Sequence, residues 1–205
     1  MSDEFMLDVG QANELKLAFR RNEWTNDDVK KICSGDVLRD FLKVVRGHAT
    51  ISVVDHLIDC DADPFLPLGW QGVEDHVKGG ILKLETRDSD LYLNGQKIDF
   101  HLSPNQQNGK VIQGHKLREE LKGKLVLNAN VLDDLLAHKE LIPESWKEDE
   151  QGRIRYIFFW GTIYRGADRG LFVRCLYWRD GQSYWGCSWL DRGFGGQIPA
   201  ALLAS

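Results

Sequence analysis

Three apolar runs in the last quarter of this 205-residue chain alternate from side to side and are cut apart by turn residues. That pattern admits little other than an antiparallel sheet. The runs are Tyr156 to Tyr164, Leu171 to Trp178 and Tyr184 to Leu190, and the breaks are Gly166 to Gly170 and Asp180-Gly181. Period-two alternation places Tyr156, Phe158, Trp160 and Tyr164 on one face of the first strand, with Ile157, Phe159 and Ile163 opposite. On the second strand Phe172, Arg174, Leu176 and Trp178 share a face, and on the third Trp185, Cys187 and Trp189 do. Both faces are too apolar for either to be simply solvated. One is expected to pack on helices, and the other to pack on a second layer or to bind a partner.

Charge is unevenly divided. Residues 151–205 hold twelve of the 21 aromatics, seven arginines, no lysine and three acids, a formal +4, while residues 1–150 carry 19 basic and 28 acidic groups, or −9. Arginine is preferred over lysine where bidentate or stacked contacts are made. Arg174, alternating with Phe172 and Trp178, has the geometry of a surface that stacks and grips. A net charge of −5 argues against nonspecific nucleic-acid binding over the whole surface. Trp160, Phe172, Arg174, Trp178 and Arg165 are therefore the candidate binding residues. The competing reading makes them a second hydrophobic layer, with arginines lying flat over tryptophan rings.

Upstream, residues 1–47 read as helical. Thr25 is placed to cap a helix with Asp27 and Asp28 in its first turn, and Gly47 closes a later one. The pair 26–33 and 36–46 has helix-turn-helix length, but the second helix is mostly apolar and the first acidic, so packing is the better reading. His48 to Leu57, with Ile51, Val53 and Val54, reads as a strand, residues 59–72 as an ordered loop, and Asn94-Gly95 as a tight hairpin turn. Asn128 or Asn130 caps a helix carrying Val131, Leu132, Leu135 and Leu136. The expected fold class is α+β: a helical portion over 1–47, a mixed middle region over 48–150, and an antiparallel meander over 151–205 packed as one unit with the middle region.

Asp59, Asp61 and Asp63 alternate after an apolar strand and supply oxygen ligands suited to a divalent cation. An EF-hand is excluded, because Pro64 stands where glycine is required and Trp70 where a bidentate glutamate is required. The alternative is a turn in which the carboxylates accept backbone N–H groups before Pro64. Asp55, His56 and His76 lie near this loop in sequence, but no hydrolase, nucleotide-loop or zinc-protease motif accompanies them. The cysteines, Cys33, Cys60, Cys175 and Cys187, form no Cys-x-x-Cys pair and read as free thiols in a reducing compartment. The acidic start, Met1 to Met6, and the lack of a long apolar run set the expectation of a cytoplasmic protein of bacterial type.

Five stretches also carry a resemblance: Ile58-Asp-Cys-Asp-Ala-Asp-Pro-Phe65, Leu127-Asn-Ala-Asn-Val-Leu-Asp133 with Leu141-Ile-Pro-Glu-Ser-Trp146, Phe159-Trp-Gly-Thr-Ile-Tyr-Arg165, and Val173-Arg-Cys-Leu-Tyr-Trp178. They resemble a group of small uncharacterised bacterial proteins of the candidate-phylum type. The resemblance implies one evolutionary unit over the whole chain and transfers no reaction and no catalytic residue. The leading expectation is a non-enzymatic binding protein that uses the aromatic and arginine-bearing sheet face. Its partner is expected to be a protein rather than nucleic acid, and no cofactor is expected. The alternative is a metal-dependent enzyme acting on a phosphate-containing substrate through the Asp59-Asp61-Asp63 loop.

Overall fold

The computed structural model describes residues 6–51 and 56–204. The chain divides into two units, residues 1–54 and 55–205. The first contains α1 (Val9–Arg21), α2 (Asn26–Ile32) and α3 (Val37–Val45). Asp8 and Thr25 each close a capping box at the head of α1 and α2, satisfying backbone donors that the first helical turn leaves free. Gly47 takes φ +73° after α3, as its place at the helix end requires. None of the three helices holds a buried residue. On α3, Arg39 is paired with Asp36 just before the helix and Lys43 with Asp40 within it, so its cations are already engaged. The strand expected over His48 to Leu57 is shorter: residues 48–51 are irregular, Val53 and Val54 lie outside the described residues, and a strand begins only at His56.

The second unit is the α+β body. In chain order it contains β1 (His56–Asp59), β2 (Gly72–His76), β3 (Ile81–Arg87), β4 (Asp90–Leu93), β5 (Gln96–His101), β6 (Ile112–Gln113), α4 (Gly114–Glu120), α5 (Ala129–Ala137), β7 (Ile157–Arg165), β8 (Leu171–Arg179), β9 (Gln182–Trp189), β10 (Gly193–Phe194) and β11 (Ala200–Leu203). Among the described residues one mostly antiparallel sheet runs in the order β1-β3-β4-β5-β11-β7-β8-β9. The tight turns fall where the sequence puts them. Asn94 and Gly95 adopt φ of +48° and +78°, and Asp180 and Gly181 +51° and +75°, the positive angles that a two-residue hairpin turn needs. Two strands escape the sequence pattern. β11 inserts between β5, to which it is antiparallel, and β7, to which it is parallel. β2 borders the far end of β7, pairing Gly72 with Arg165 and His76 with Thr162.

β7 does not keep strict alternation. Its register against β8 runs from Phe158↔Cys175 to Ile163↔Val173, so residues 158 to 163 advance against only 175 to 173. This bulge reverses the facing of every later residue. Ile157 and Phe159 join Leu176, Trp178 and the α5 residues Val131, Leu132 and Leu135 in one core. Phe158, Trp160 and Ile163 join Val173, Cys175, Leu117, Leu121 and Phe194 in another. Tyr164 then emerges beside Arg174, which its hydroxyl approaches at 3.5 Å. The single face expected for Tyr156, Phe158, Trp160 and Tyr164 is thereby corrected.

Gly161 sits inside the bulge. Its N–H donates to the Leu127 carbonyl at 2.9 Å and its carbonyl accepts from Val77 N–H at 2.7 Å. A Cβ at this position would lie 2.8 Å from both Asn128 N and Leu127 C, which are backbone atoms that cannot swing aside. Gly161→Ala should therefore lower unfolding stability by about 1–3 kcal/mol through overpacking. Urea titration checks this; a loss below a few tenths would show that the two backbones separate freely.

Candidate functional site

The aromatic region is organised around one buried cation. Arg174, on β8, is 1 % exposed. Its Nη2 and Nη1 donate to the two carboxylate oxygens of Asp133 on α5 at 2.6 and 3.0 Å, a fork-to-fork pair that ties helix to sheet. Its guanidinium carbon lies 4.7 Å from the Trp185 ring centroid and 5.1 Å from that of Phe65. Burial pulls the arginine's pKa down, but the bonds to Asp133 and Tyr164 outweigh that and hold it above its ordinary value. It remains a cation, covered by two rings and neutralised from below.

The loop that brings Phe65 there is fastened by the residues around it. Asn128 caps α5, its Oδ1 accepting from Asn130 N–H and Val131 N–H, while its Nδ2 donates to the carbonyls of Cys60 and Val77, each at 2.9 Å. Asn130 Nδ2 donates to the carbonyls of Asp59 and Ala62 at 2.7 and 2.9 Å. His76 bridges Thr162 Oγ1 at 2.8 Å and the Cys60 carbonyl at 3.0 Å. The aspartates serve the same loop. Asp59 Oδ1 accepts from Asp61 N–H and Ala62 N–H, and Asp61 Oδ1 accepts from Gly79 N–H and Gly80 N–H, both at 2.9 Å. Asp59, Asp61 and Asp63 are not drawn together into a metal centre, and among the described residues no group of three His, Cys, Asp or Glu side chains is placed to hold a metal ion. The turn reading accounts for Asp59, whereas Asp61 fastens the loop to the distant Gly79-Gly80 turn.

The structure redistributes the expected binding residues. Trp160 and Trp178 are 4 % and 5 % exposed and lie in different cores, so neither offers a ring face to a partner. Bulk explains it: α5 covers one side of the sheet and α4 with β10 the other, and the pairing of Phe158 with Cys175 puts Trp160 on the face away from Arg174. Arg174 itself is a strut rather than a contact. Arg165 pairs with Glu74 of β2 and donates to the Arg169 carbonyl, so its charge is engaged too. Phe172 is half-buried between Trp70, 5.0 Å away, and Trp189, 5.6 Å away.

What stays open is a different set. Phe65, Trp185 and Trp189 are 52 %, 38 % and 42 % exposed. Phe65 and Trp185 meet edge to face at 6.1 Å, Trp189 leans on Phe172, and Trp70 bridges Phe172 and Tyr164. The rings form two groups, Phe65 with Trp185 over Arg174, and Trp70 with Tyr164, Phe172 and Trp189, with Arg192 set 5.7 Å from the Trp189 ring centroid. Sequence alternation does put Trp185, Cys187 and Trp189 on one face, but Phe65 and Trp70 are far away in sequence and carried no such signal. The four cysteines are free, and burial pushes the Cys60 and Cys175 thiols up to about 11 and about 12, leaving both unreactive. Among the described residues no helix is long and apolar enough to cross a membrane.

No family model, no curated protein and no solved structure matches this chain.

Two outcomes follow from this geometry. Asp133→Ala strands a buried guanidinium and should cost about 3–5 kcal/mol, whereas Asp133→Leu with Arg174→Met should recover most of that loss. Chemical unfolding of the three proteins decides it, and a single-variant loss under about 1 kcal/mol would remove the pair from its structural role. For Asp61, the Gly80 bond, aided by Gly79 and opposed by slight burial, holds the carboxyl below its ordinary value of 3.8. A depressed native pKa lends stability that is whole above the unfolded value and lost as pH falls through the native one. Asp61→Ala should thus melt lower than wild type near neutrality, and the gap should close in acid below pH 3.8. A gap that persists there would contradict the assignment.

Proposed function

We propose that this chain is a non-enzymatic binding protein that receives an extended segment of a partner protein along β9. The carrying observation is the composition of that strand. Gln182-Ser-Tyr-Trp-Gly-Cys-Ser-Trp189 contains no charged residue and no proline, and it forms one end of the strand order. Its other side is hydrogen-bonded to β8 along its whole length, from Phe172↔Trp189 to Arg179↔Gln182. Edge strands ordinarily carry lysine, proline or a covering element against unwanted pairing. β9 carries none of the side-chain devices, and its tryptophans stand half open beside it.

Strand addition combines a sequence-tolerant main-chain ladder with side-chain pockets at alternate positions. The exposed rings of Phe65, Trp185 and Trp189 support the second part, since tryptophan is enriched among residues that anchor interfaces. The charge pattern favours protein over nucleic acid. Arg174 and Arg165 are neutralised by Asp133 and Glu74, so Arg192 is the cation left standing over an open ring.

The test is selection from a displayed library of random short peptides. Enriched peptides should show alternating apolar residues and should perturb the backbone amide signals of residues 182–189. Trp185→Lys and Trp189→Lys should each weaken binding at least tenfold, about 1.4 kcal/mol or more; Trp185→Lys also lowers the melting temperature because it uncovers Arg174, whereas Trp189→Lys moves it little. Absence of enrichment over an unrelated control protein, or peptides that bind both lysine variants unchanged, would overturn the proposal.

A further inference from the structure

The sequence around β9 is mirrored about the middle of the strand. Arg179-Asp180 stands before the uncharged run Gly181 to Leu190, and Asp191-Arg192 stands after it. Among the described residues, main-chain bonds tie 182–189 to β8 on one side and otherwise only join Arg192 N–H to the Trp189 carbonyl. The outer edge of the strand is therefore unpaired along its length. A two-fold contact needs a surface that is complementary to itself, and two-fold dimers are the commonest symmetric assembly.

An antiparallel copy of β9 laid against that edge meets the need. Each side chain stays on its own face only where opposed residue numbers are both odd or both even, so the two-fold axis passes through a residue. Centred on Gly186, residues 183–189 oppose 189–183 of the second copy. On the Arg174 face Trp185 then meets Cys187 and Trp189 meets Ser183, a large ring beside a small side chain each time. Gly186 carries no side chain where the two backbones cross the axis, as a strand glycine at a close backbone approach does. The same register brings Asp180 of one copy to the end where Arg192 of the other stands, twice by symmetry. Arg192 lies over the Trp189 ring and has no carboxylate within ion-pair distance among the described residues; its neighbour Asp191 pairs with His115 at 3.1 Å. Asp180 is held loosely by Arg179, at 3.5 Å with the side chains 88 % and 75 % exposed. A parallel copy would instead set like charges side by side. We infer that, on the premise that β9 receives a strand, its occupant is β9 of a second copy of this chain. The result is an antiparallel dimer about Gly186 with an Asp180–Arg192 pair at each end.

The experiment is sedimentation equilibrium of the full chain over a wide concentration range, paired with backbone amide spectra on dilution. A monomer–dimer equilibrium is expected, with the signals of residues 182–189 shifting as the dimer dissociates. Arg192→Glu should raise the dimer dissociation constant at least threefold, and so should Asp180→Lys. Combining the two exchanges should bring the constant back toward that of wild type. Within one chain the two residues lie at opposite ends of an eight-residue strand, about 26 Å apart, so recovery reports contact between copies. Position 180 has φ +51°, and Arg192→Glu alone keeps the test decisive should lysine there disturb the hairpin. A chain that stays monomeric while selected peptides still bind β9 overturns the dimer and leaves strand addition standing; a monomer that captures no peptide removes both. A dimer indifferent to Arg192→Glu, a folded double exchange no tighter than the single variants, or dilution shifts confined to other residues would equally overturn the inference.

Discussion

A guanidinium buried between a helix and a sheet is the constraint on which the rest of this body depends. Removing a full charge from water costs several kcal/mol unless partners replace the hydration shell. Here the replacement comes from three directions: Asp133 from α5, Tyr164 from beyond the β7 bulge, and two rings from the loop after β1 and from β9. Each must be in place for Arg174 to stay charged and buried. The bulge at Gly161, the Asn128 and Asn130 clamps and the Asp59 and Asp61 bonds all serve that arrangement. A desolvated cation over a ring is attracted by about 2 kcal/mol or more, so Phe65 and Trp185 are held where they are, half open to solvent.

That arrangement also explains why aromatic surface remains uncovered. Phe65 and Trp185 are turned edge to face above Arg174, and cannot sink deeper without displacing it. Trp189 rests on Phe172, which is itself pressed against Trp70. The exposed rings over Arg174 are thus a consequence of how the cation is covered, and β9 borders them with an uncharged backbone edge. Structural demand and binding potential reside in the same rings, with the strut below and the surface above.

The sequence made the local elements legible because their signals are local. Thr25, Asn94-Gly95, Asp180-Gly181 and Asn128 each specify a cap or a turn within a few residues, and the structure has them there. The meander β7-β8-β9 was readable from its alternation, and so was the facing of Trp185, Cys187 and Trp189. What failed was non-local. The bulge between Phe158 and Ile163 is set by a close approach to Leu127 and Asn128, which no pattern within β7 announces; it turned Tyr164 onto the face of Arg174, while the pairing of Phe158 with Cys175 keeps Trp160 on the other. β11 is four residues of small and aliphatic side chains, Ala200–Leu203, whose pairing with β5 and β7 depends on strands about 40 and 100 positions earlier. Four of the five stretches that carried the resemblance in sequence meet at one place in space: the Asp59 to Phe65 loop, Asn128 to Asp133, Thr162 and Tyr164, and Arg174. Their composition pointed to importance, and only their packing distinguishes a strut from a ligand contact.

The central claim is that the aromatic sheet is divided between sealed indoles and open ones, with Arg174 as the boundary. Residue-resolved oxidation of the native chain by hydroxyl radicals, read by mass spectrometry at each tryptophan, tests it most directly. Trp185 and Trp189 should be modified rapidly, and Trp160 and Trp178 should stay protected until the protein unfolds. Trp160 or Trp178 reacting as fast as Trp185 would contradict the account.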